Sequence, residues 1–140
     1  MATLFTRIIE GELPGRFVWK DERCVAFLTI APLRPGHTLV VPRKEVDHWL
    51  DLDDALAAHL TITAKSIGRA LMRAFKPTRV GLIIAGLEVP HTHLHVVPIR
   101  EIRDLDFANQ DPNAAQVDLD AAADRIRDGL RALGYAQVAM

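Results

Sequence analysis

The sequence predicts an α+β domain of about five short strands, with one long helix in the middle and a second amphipathic helix near its end. Three patterns carry that prediction. Short apolar runs bounded by Pro, Gly and Asp recur before residue 43 and after residue 78. Between them Leu56, Leu60, Ile67 and Leu71 repeat at or near i+4, which marks a helix over residues 53–75. Beyond them Leu119, Ala122, Ile126, Leu130 and Leu133 set out a second helical stripe.

In chain order, residues 5–10 read as a short helix closed by Gly11 and the Pro14-Gly15 turn. Residues 16–20 lead through Asp21-Glu22-Arg23 into a strand over 24–29, a hairpin. A third strand over 37–41 stops at Pro42. Asp51 or Asp53 caps the long helix, and Pro77 lies just beyond its end. Residues 80–85 and 92–99 form a second strand pair around 86–90, and 100–116, rich in Asp, Asn and Pro, read as irregular. Asp118 is expected to cap the last helix, which ends at Gly134. No repeat, low-complexity tract or linker interrupts the pattern, so residues 1–140 read as one domain.

Composition narrows the class. With 140 residues, 49% hydrophobic and 25% charged, the chain has the make-up of an ordinary globular protein. A net charge of −1 supplies no global field toward nucleic acid or an anionic membrane, so a nucleotide ligand needs local donors. Cys24, the one cysteine, excludes an internal disulfide and fits a reducing compartment; within Cys-Val-Ala-Phe-Leu it reads as a small buried hydrophobe. No apolar stretch reaches the roughly 18 residues of a membrane span and no signal-peptide pattern opens the chain, so the cytoplasm is the default location.

The chemistry concentrates at His91, His93 and His95. In an extended segment successive side chains point to opposite faces, so the three imidazoles share one face. Composition predicts only about 0.01 such triples in a chain of this kind. Three rings that titrate near neutrality on one surface point to a metal cradle, or to a nucleophile with its acid and base. His48 and His59, beside or inside helical patterns, read as structural.

The run His91-Thr92-His93-Leu94-His95-Val96-Val97 resembles the signature of the histidine triad family of nucleotide hydrolases and transferases, in which His alternates with apolar residues. The resemblance extends over residues 3–99, through the segments 4–14, 25–32 and 35–42 in order. It implies a five-stranded antiparallel sheet with a long central helix and a carboxy-terminal helix. It implies His93 as a nucleophile that forms a covalent nucleotidyl intermediate, with His91 and His95 binding phosphoryl oxygens and managing protons. His37, in Pro-Gly-His-Thr-Leu-Val-Val-Pro, matches a fourth histidine of that site. Water then releases a nucleoside monophosphate, with no cofactor and no metal, because imidazoles and backbone N–H groups supply the charge stabilisation. Family members that carry a structural zinc hold it partly through Cys-x-x-Cys; here Thr3-Leu4-Phe5-Thr6 stands there and Glu45 replaces a zinc-binding histidine, which implies no such zinc.

By the same comparison a purine nucleotide lies against Leu4, Phe5, Ile8, Phe27, Leu28, Thr29 and Ile30, with Glu88 and Val89 beside the phosphate. The chain departs from the pattern in three places. Thr29 replaces an aspartate that holds the ribose hydroxyls, Thr92 replaces an apolar residue, and the segment 85–90 is short and lacks the Asn, Gln and Ser that contact the phosphate. Glu88 instead puts an anion there. The leading expectation is a hydrolase or transferase of nucleoside phosphoramidates, nucleotidyl esters or dinucleoside polyphosphates. The alternatives are a nucleotide-binding protein with little turnover and a metal-binding strand protein. Resemblance and the two-fold prior together predict a homodimer.

Overall fold

A computed structural model describes residues 2–139. Its elements are α1 (Leu4–Ile9), β1 (Phe17–Lys20), β2 (Cys24–Leu28), β3 (Thr38–Pro42), α2 (Asp54–Phe75), β4 (Arg79–Ile83), β5 (Leu94–Ile99) and α3 (Gln116–Ala132), with single turns of 3₁₀ helix at Trp49–Asp51, Ile102–Leu105 and Phe107–Asn109. The five strands form one antiparallel sheet in the order β1-β2-β3-β5-β4. The α+β class and the antiparallel sheet are as the sequence predicted.

Alternation along the strands sorts side chains onto two faces. Cys24, Ala26 and Leu28 of β2, Val40 of β3, and Leu94 and Val96 of β5 pack with Leu60, Ile67 and Leu71 of α2 and Ile126 and Leu130 of α3. Val25 and Phe27, with Leu39 and Val41, face the other way, under Phe5 and Ile8 of α1. Leu39 pairs with His95, so the period of two places His95 on this second face. The sheet thus has a dry side sealed by two long helices and a side covered by the six-residue α1 and by Leu105 and Phe107 of the 3₁₀ turns.

The end signals of α2 act as predicted. Asp53 Oδ1 accepts the Leu56 amide at 2.7 Å, and Lys76 adopts a left-handed conformation (φ 49°) before Pro77.

Four predictions differ from the structure. β5 begins at Leu94 rather than at residue 92, because the Thr92 amide and hydroxyl both bond the Val46 carbonyl, at 2.7 Å each, which draws this segment off the β3 ladder. Pro42 does not halt β3 but closes it, opposite Cys24. Asp118 does not cap α3: its amide donates to the Ala115 carbonyl, so the helix starts two residues earlier on a cap without a side-chain bond. Leu133, read as part of the α3 stripe, is exposed.

The two sheet edges differ. Along β1 the chain's own residues 137–139 return: Trp19 bridges Val138, the Lys20 amide donates to Gln137 and the Ala139 amide to Val18, both at 3.0 Å. β4 has a strand partner on one side only, and Leu82 in it is exposed. No helix among the described residues is long and apolar enough to cross a membrane.

Candidate active site

All three triad rings and His37 are buried, between 0% and 2% exposed, and the hydrogen bonds around them fix which nitrogen carries each proton. A carbonyl oxygen and a backbone N–H each accept only one role, so assignment starts from them. His91 Nε2 lies 2.7 Å from the Pro42 carbonyl and must donate; its Nδ1 therefore accepts from the Thr3 hydroxyl at 2.6 Å. His93 Nδ1 lies 2.7 Å from the His91 carbonyl and must donate, which leaves its Nε2 with a lone pair. His37 Nδ1 accepts the Leu33 amide at 3.0 Å, so His37 Nε2 carries a proton and donates it to His95 Nδ1 at 2.9 Å. His95 must then be protonated at Nε2. That buried N–H has no hydrogen-bond partner among the described residues.

The protein therefore sets, side by side, a lone pair on His93 and, on His95, a donor without a partner among the described residues. The two rings stand edge to face with centroids 4.9 Å apart. Phe5 meets His93 edge-on at 4.9 Å, and Phe107 meets His95 at 5.0 Å, so both rings are held by aromatic contact as well as by hydrogen bonds.

Burial, helped by the neighbouring imidazoles, pushes His37 down to about 3 and His95 down to about 4. Burial likewise lowers His91. These rings are neutral at physiological pH, as the proton assignments require. The turn that brings the Leu33 amide onto His37 depends on Gly36, whose φ of +96° and contact with the Phe75 ring leave no space for a side chain.

His93 and His95 form one end of a cavity of about 710 Å³, and all nine residues read from the sequence as nucleotide-binding line it. Leu4, Phe5 and Ile8 of α1 face Phe27 and Leu28 of β2 across it, with Thr29 and Ile30 just past the strand and Glu88 and Val89 at the triad end. Phe5 and Phe27 also belong to the smaller apolar cluster, whereas Ile30 is 72% exposed at the rim rather than in the core. The Thr29 hydroxyl accepts the Ala31 amide at 3.2 Å and keeps its own proton for another partner.

His37 and His91 do not line this cavity. His37 stands behind His95. His91 has both ring nitrogens engaged, and its carbonyl orients His93. Thr3, Thr6, Glu45 and His91 form a closed cluster: Glu45 Oε1 accepts the Thr3 amide at 2.8 Å and the Thr6 hydroxyl at 2.6 Å, while Thr3 bonds His91. Hydrogen bonds thus tie α1 to the triad at the positions where the sequence lacks the zinc ligands.

Sequence reasoning missed the far wall. Arg16, Gln110, Gln116 and Asp120 line it; Arg16 Nε donates to Asp120 at 2.7 Å and a second guanidinium nitrogen to Gln116, while Gln110 donates to the Ala31 carbonyl at 3.2 Å. Arg16 and Asp120 are 104 residues apart, and no local pattern joins them. A separate group, Asp21, Cys24 and His59, has donor atoms close enough for a cation. There the Asp21 carboxylate is already filled by Trp19, His59 and two backbone amides, and burial pushes the Cys24 thiol up to about 12, so the group acts as a hydrogen-bonded brace.

A run of buried histidines at the edge of an antiparallel sheet, two of them lining a largely apolar cavity, defines a histidine triad site. The HIT domain profile matches residues 10–102, and the chain belongs to the HIT family. An uncharacterized HIT-like protein of Borreliella burgdorferi is 39% identical over 102 residues, 68% of this chain and 73% of that one. The protein named hit of Bacillus subtilis is 33% identical over 100 residues, 68% of this chain and 69% of that one. Among solved structures, a Zn-bound histidine triad family protein from Mycobacterium smegmatis superposes with a TM-score of 0.82 at 26% identity, covering 95% of this chain and 96% of that one. A hypothetical histidine triad nucleotide-binding protein from Sulfolobus tokodaii gives 0.81 at 28% identity over 92% of each chain. A HIT family hydrolase from Legionella pneumophila gives 0.58 at 31%, covering 69% of this chain and 91% of that one.

The depressed histidines make stability depend on acid. Above about pH 6.5 a buried ring and an unfolded one are both neutral and the fold keeps its full stability. As pH falls toward 4 the unfolded chain takes up protons that His95 and His37 refuse, and stability declines. For His95 alone, from 6.5 to about 4, the loss approaches about 3 kcal/mol. Urea midpoints measured between pH 7 and 4.5 should drop accordingly, with a shallower slope in His95→Asn; a midpoint constant across that interval would contradict the neutral assignment.

Proposed function

We propose that the chain is a hydrolase or transferase that cleaves a phosphoramidate, ester or anhydride bond at the α-phosphate of a purine nucleotide through a nucleotidyl-His93 intermediate. One observation carries the reading: the His93 Nε2 lone pair stands beside the unpartnered His95 Nε2–H at the end of an apolar cavity. His93 attacks phosphorus as the bond to the leaving amine, alcohol or phosphate breaks and that group departs with the bonding pair, and the His95 N–H stabilises the charge gathering on a non-bridging oxygen. Water then takes the phosphoryl group from His93, releasing a monophosphate. The base lies between the α1 side chains and Phe27, and the ribose reaches the Thr29 hydroxyl. His91 acts through its carbonyl, which keeps the His93 lone pair on the cavity side, and His37 acts by fixing the His95 tautomer.

The competing reading, a nucleotide-binding protein with slow turnover, draws on Glu88, whose carboxylate stands at the phosphate end of the cavity. His93→Ala separates the two. Loss of a nucleophile removes a route through the transition state and leaves ground-state binding, so the variant should bind a nucleoside monophosphate as the wild type does while hydrolysis of an adenosine phosphoramidate falls at least about 100-fold, or near 3 kcal/mol. A variant that keeps more than a few per cent of the wild-type rate would sink the assignment. No step above uses a metal, so activity should also survive EDTA; stoichiometric zinc together with loss of rate on chelation would favour the metal-binding alternative.

We place the single 1–140 domain in the cytoplasm, where a buried free cysteine stays reduced, and pair two copies of it along β4. The β1 edge is closed by residues 137–139, which leaves β4 as the edge available to a partner, with Leu82 exposed on it. An antiparallel pairing there repeats across a two-fold axis, the usual closure for soluble homo-oligomers. Light scattering at micromolar concentration should return about twice the 15.5 kDa chain mass, and a value near one chain would refute the dimer.

A further inference from the structure

The wall formed by Arg16, Gln116 and Asp120 has no task in the steps above. Gln116 and Asp120 stand one turn apart on α3, and both accept from the Arg16 guanidinium. Its Nε donates to Asp120 Oδ1 at 2.7 Å, and Nη2 donates to Gln116 Oε1. A guanidinium can only donate, so it fixes what each partner has left. Gln116 must turn its oxygen to Arg16 and keeps its NH₂ group, a donor. Asp120 keeps its second oxygen, an acceptor. No further hydrogen bond among the described residues engages either group, and all three residues line the cavity. Arg16 is held in place: its side chain is only 20% exposed, and its backbone carbonyl accepts the Leu28 amide at 3.2 Å.

The apolar slot beside this wall has two sides, and both reach the neighbours of Arg16. A side chain on Gly15 would stand 2.7 Å from Ile8, so Ile8 of α1 lies directly against the backbone that precedes Arg16. On the other side Phe27 pairs with Phe17, which follows Arg16, in the sheet and ring to ring at 5.7 Å. Arg16 thus stands where the two apolar sides come together. A flat ring seated between Ile8 and Phe27 meets the polar wall with its edge rather than its face.

We propose that this wall reads the base and favours guanine over adenine. The proposal rests on the base occupying the slot between α1 and Phe27, and not on the chemistry at His93. From position 6 to position 2 of the purine edge, guanine offers one acceptor and then two donors: O6, N1–H and the 2-amino group. The Gln116 NH₂ donates to O6, and the Asp120 carboxylate accepts from N1–H and the 2-amino group. Adenine offers one donor and one acceptor along the same edge, and its C2–H gives the carboxylate nothing. Bonds from N–H to an ionised carboxylate are the stronger kind, so the additional one decides between the two bases. Arg16 positions both readers, because without its fork each could turn its other end to the cavity.

Binding of nucleoside monophosphates, measured by calorimetry, tests this without requiring turnover. Guanosine monophosphate should bind wild type about 10- to 100-fold more tightly than adenosine monophosphate, the span of one added hydrogen bond to a charged group. Inosine monophosphate, which lacks the 2-amino group, should fall between them. Asp120→Asn puts a donor where an acceptor stood. It should lose the guanine preference and bind xanthosine monophosphate, whose 2-oxo group accepts, about 10-fold or more tightly than wild type does. A change that merely loosened the wall would give no such gain. Arg16→Lys, a point donor in place of a fork, should narrow the guanine-to-adenine ratio. Equal affinities for the guanosine and adenosine monophosphates would overturn the proposal, and so would an Asp120→Asn protein that keeps the wild-type ranking. Failure of every monophosphate to bind refutes the nucleotide site, and the reading of the base falls with it. A guanine preference in a protein that hydrolyses none of its substrates upholds the base reader while the His93 chemistry fails.

Discussion

A single backbone amide sets the polarity of the site. The Leu33 N–H can only donate, and from that fact the proton positions of His37 and His95 follow without further freedom. Had Leu33 presented a carbonyl instead, the relay would run backward and His95 would offer the cavity a lone pair. A second fixed group, the His91 carbonyl, does the same for His93 with the opposite outcome. Two chemically identical side chains, two residues apart, thus present opposite functions to one space because each is read by a different backbone dipole. Burial completes the arrangement by keeping the His37 and His95 rings neutral, so their tautomers persist instead of being erased by protonation.

The sheet makes this possible. β5 lies between β3 and β4, so the His95 backbone is paired on both sides, opposite Leu39 and Ile83. The face that carries it is also the face covered by short α1 and the 3₁₀ turns rather than by a long helix. A long helix there would fill the cavity, while α2 and α3 on the other face supply the bulk of the core.

Legibility in the sequence followed the physics of each feature. Strand alternation and the i, i+2, i+4 spacing of the histidines are side-chain patterns, and they singled out the core faces and the triad, while the family resemblance supplied the cavity residues from Leu4 to Val89. What escaped was of two kinds. The groups that fix the protons belong to the backbone of Leu33, Pro42 and His91, and a backbone amide or carbonyl leaves no mark on residue identity. The far wall joins Arg16 to Gln116 and Asp120, a pairing created only when α3 docks. The start of α3 was misplaced because its cap is Ala115, a residue without a capping side chain, while Asp118 carried the expected signal one turn too late. β5 was drawn too long because the pull of Val46 on Thr92 is a tertiary bond.

The return of residues 137–139 to the β1 edge has a consequence for the order in which the molecule assembles. Closing a contact between Trp19 and Val138 confines nearly the whole chain, and the entropy of that closure must be met before the contact gives anything back. The β2–β3 hairpin and the β4–β5 pair enclose far shorter loops. The paired strands, with His95 in β5 among them, are therefore the early structure, and the C-terminal clasp is the late one. Run in reverse, the same order makes the clasp the first part to open in local unfolding. That opening would bare the β1 edge while the proton relay, which bonds none of these residues, stayed intact.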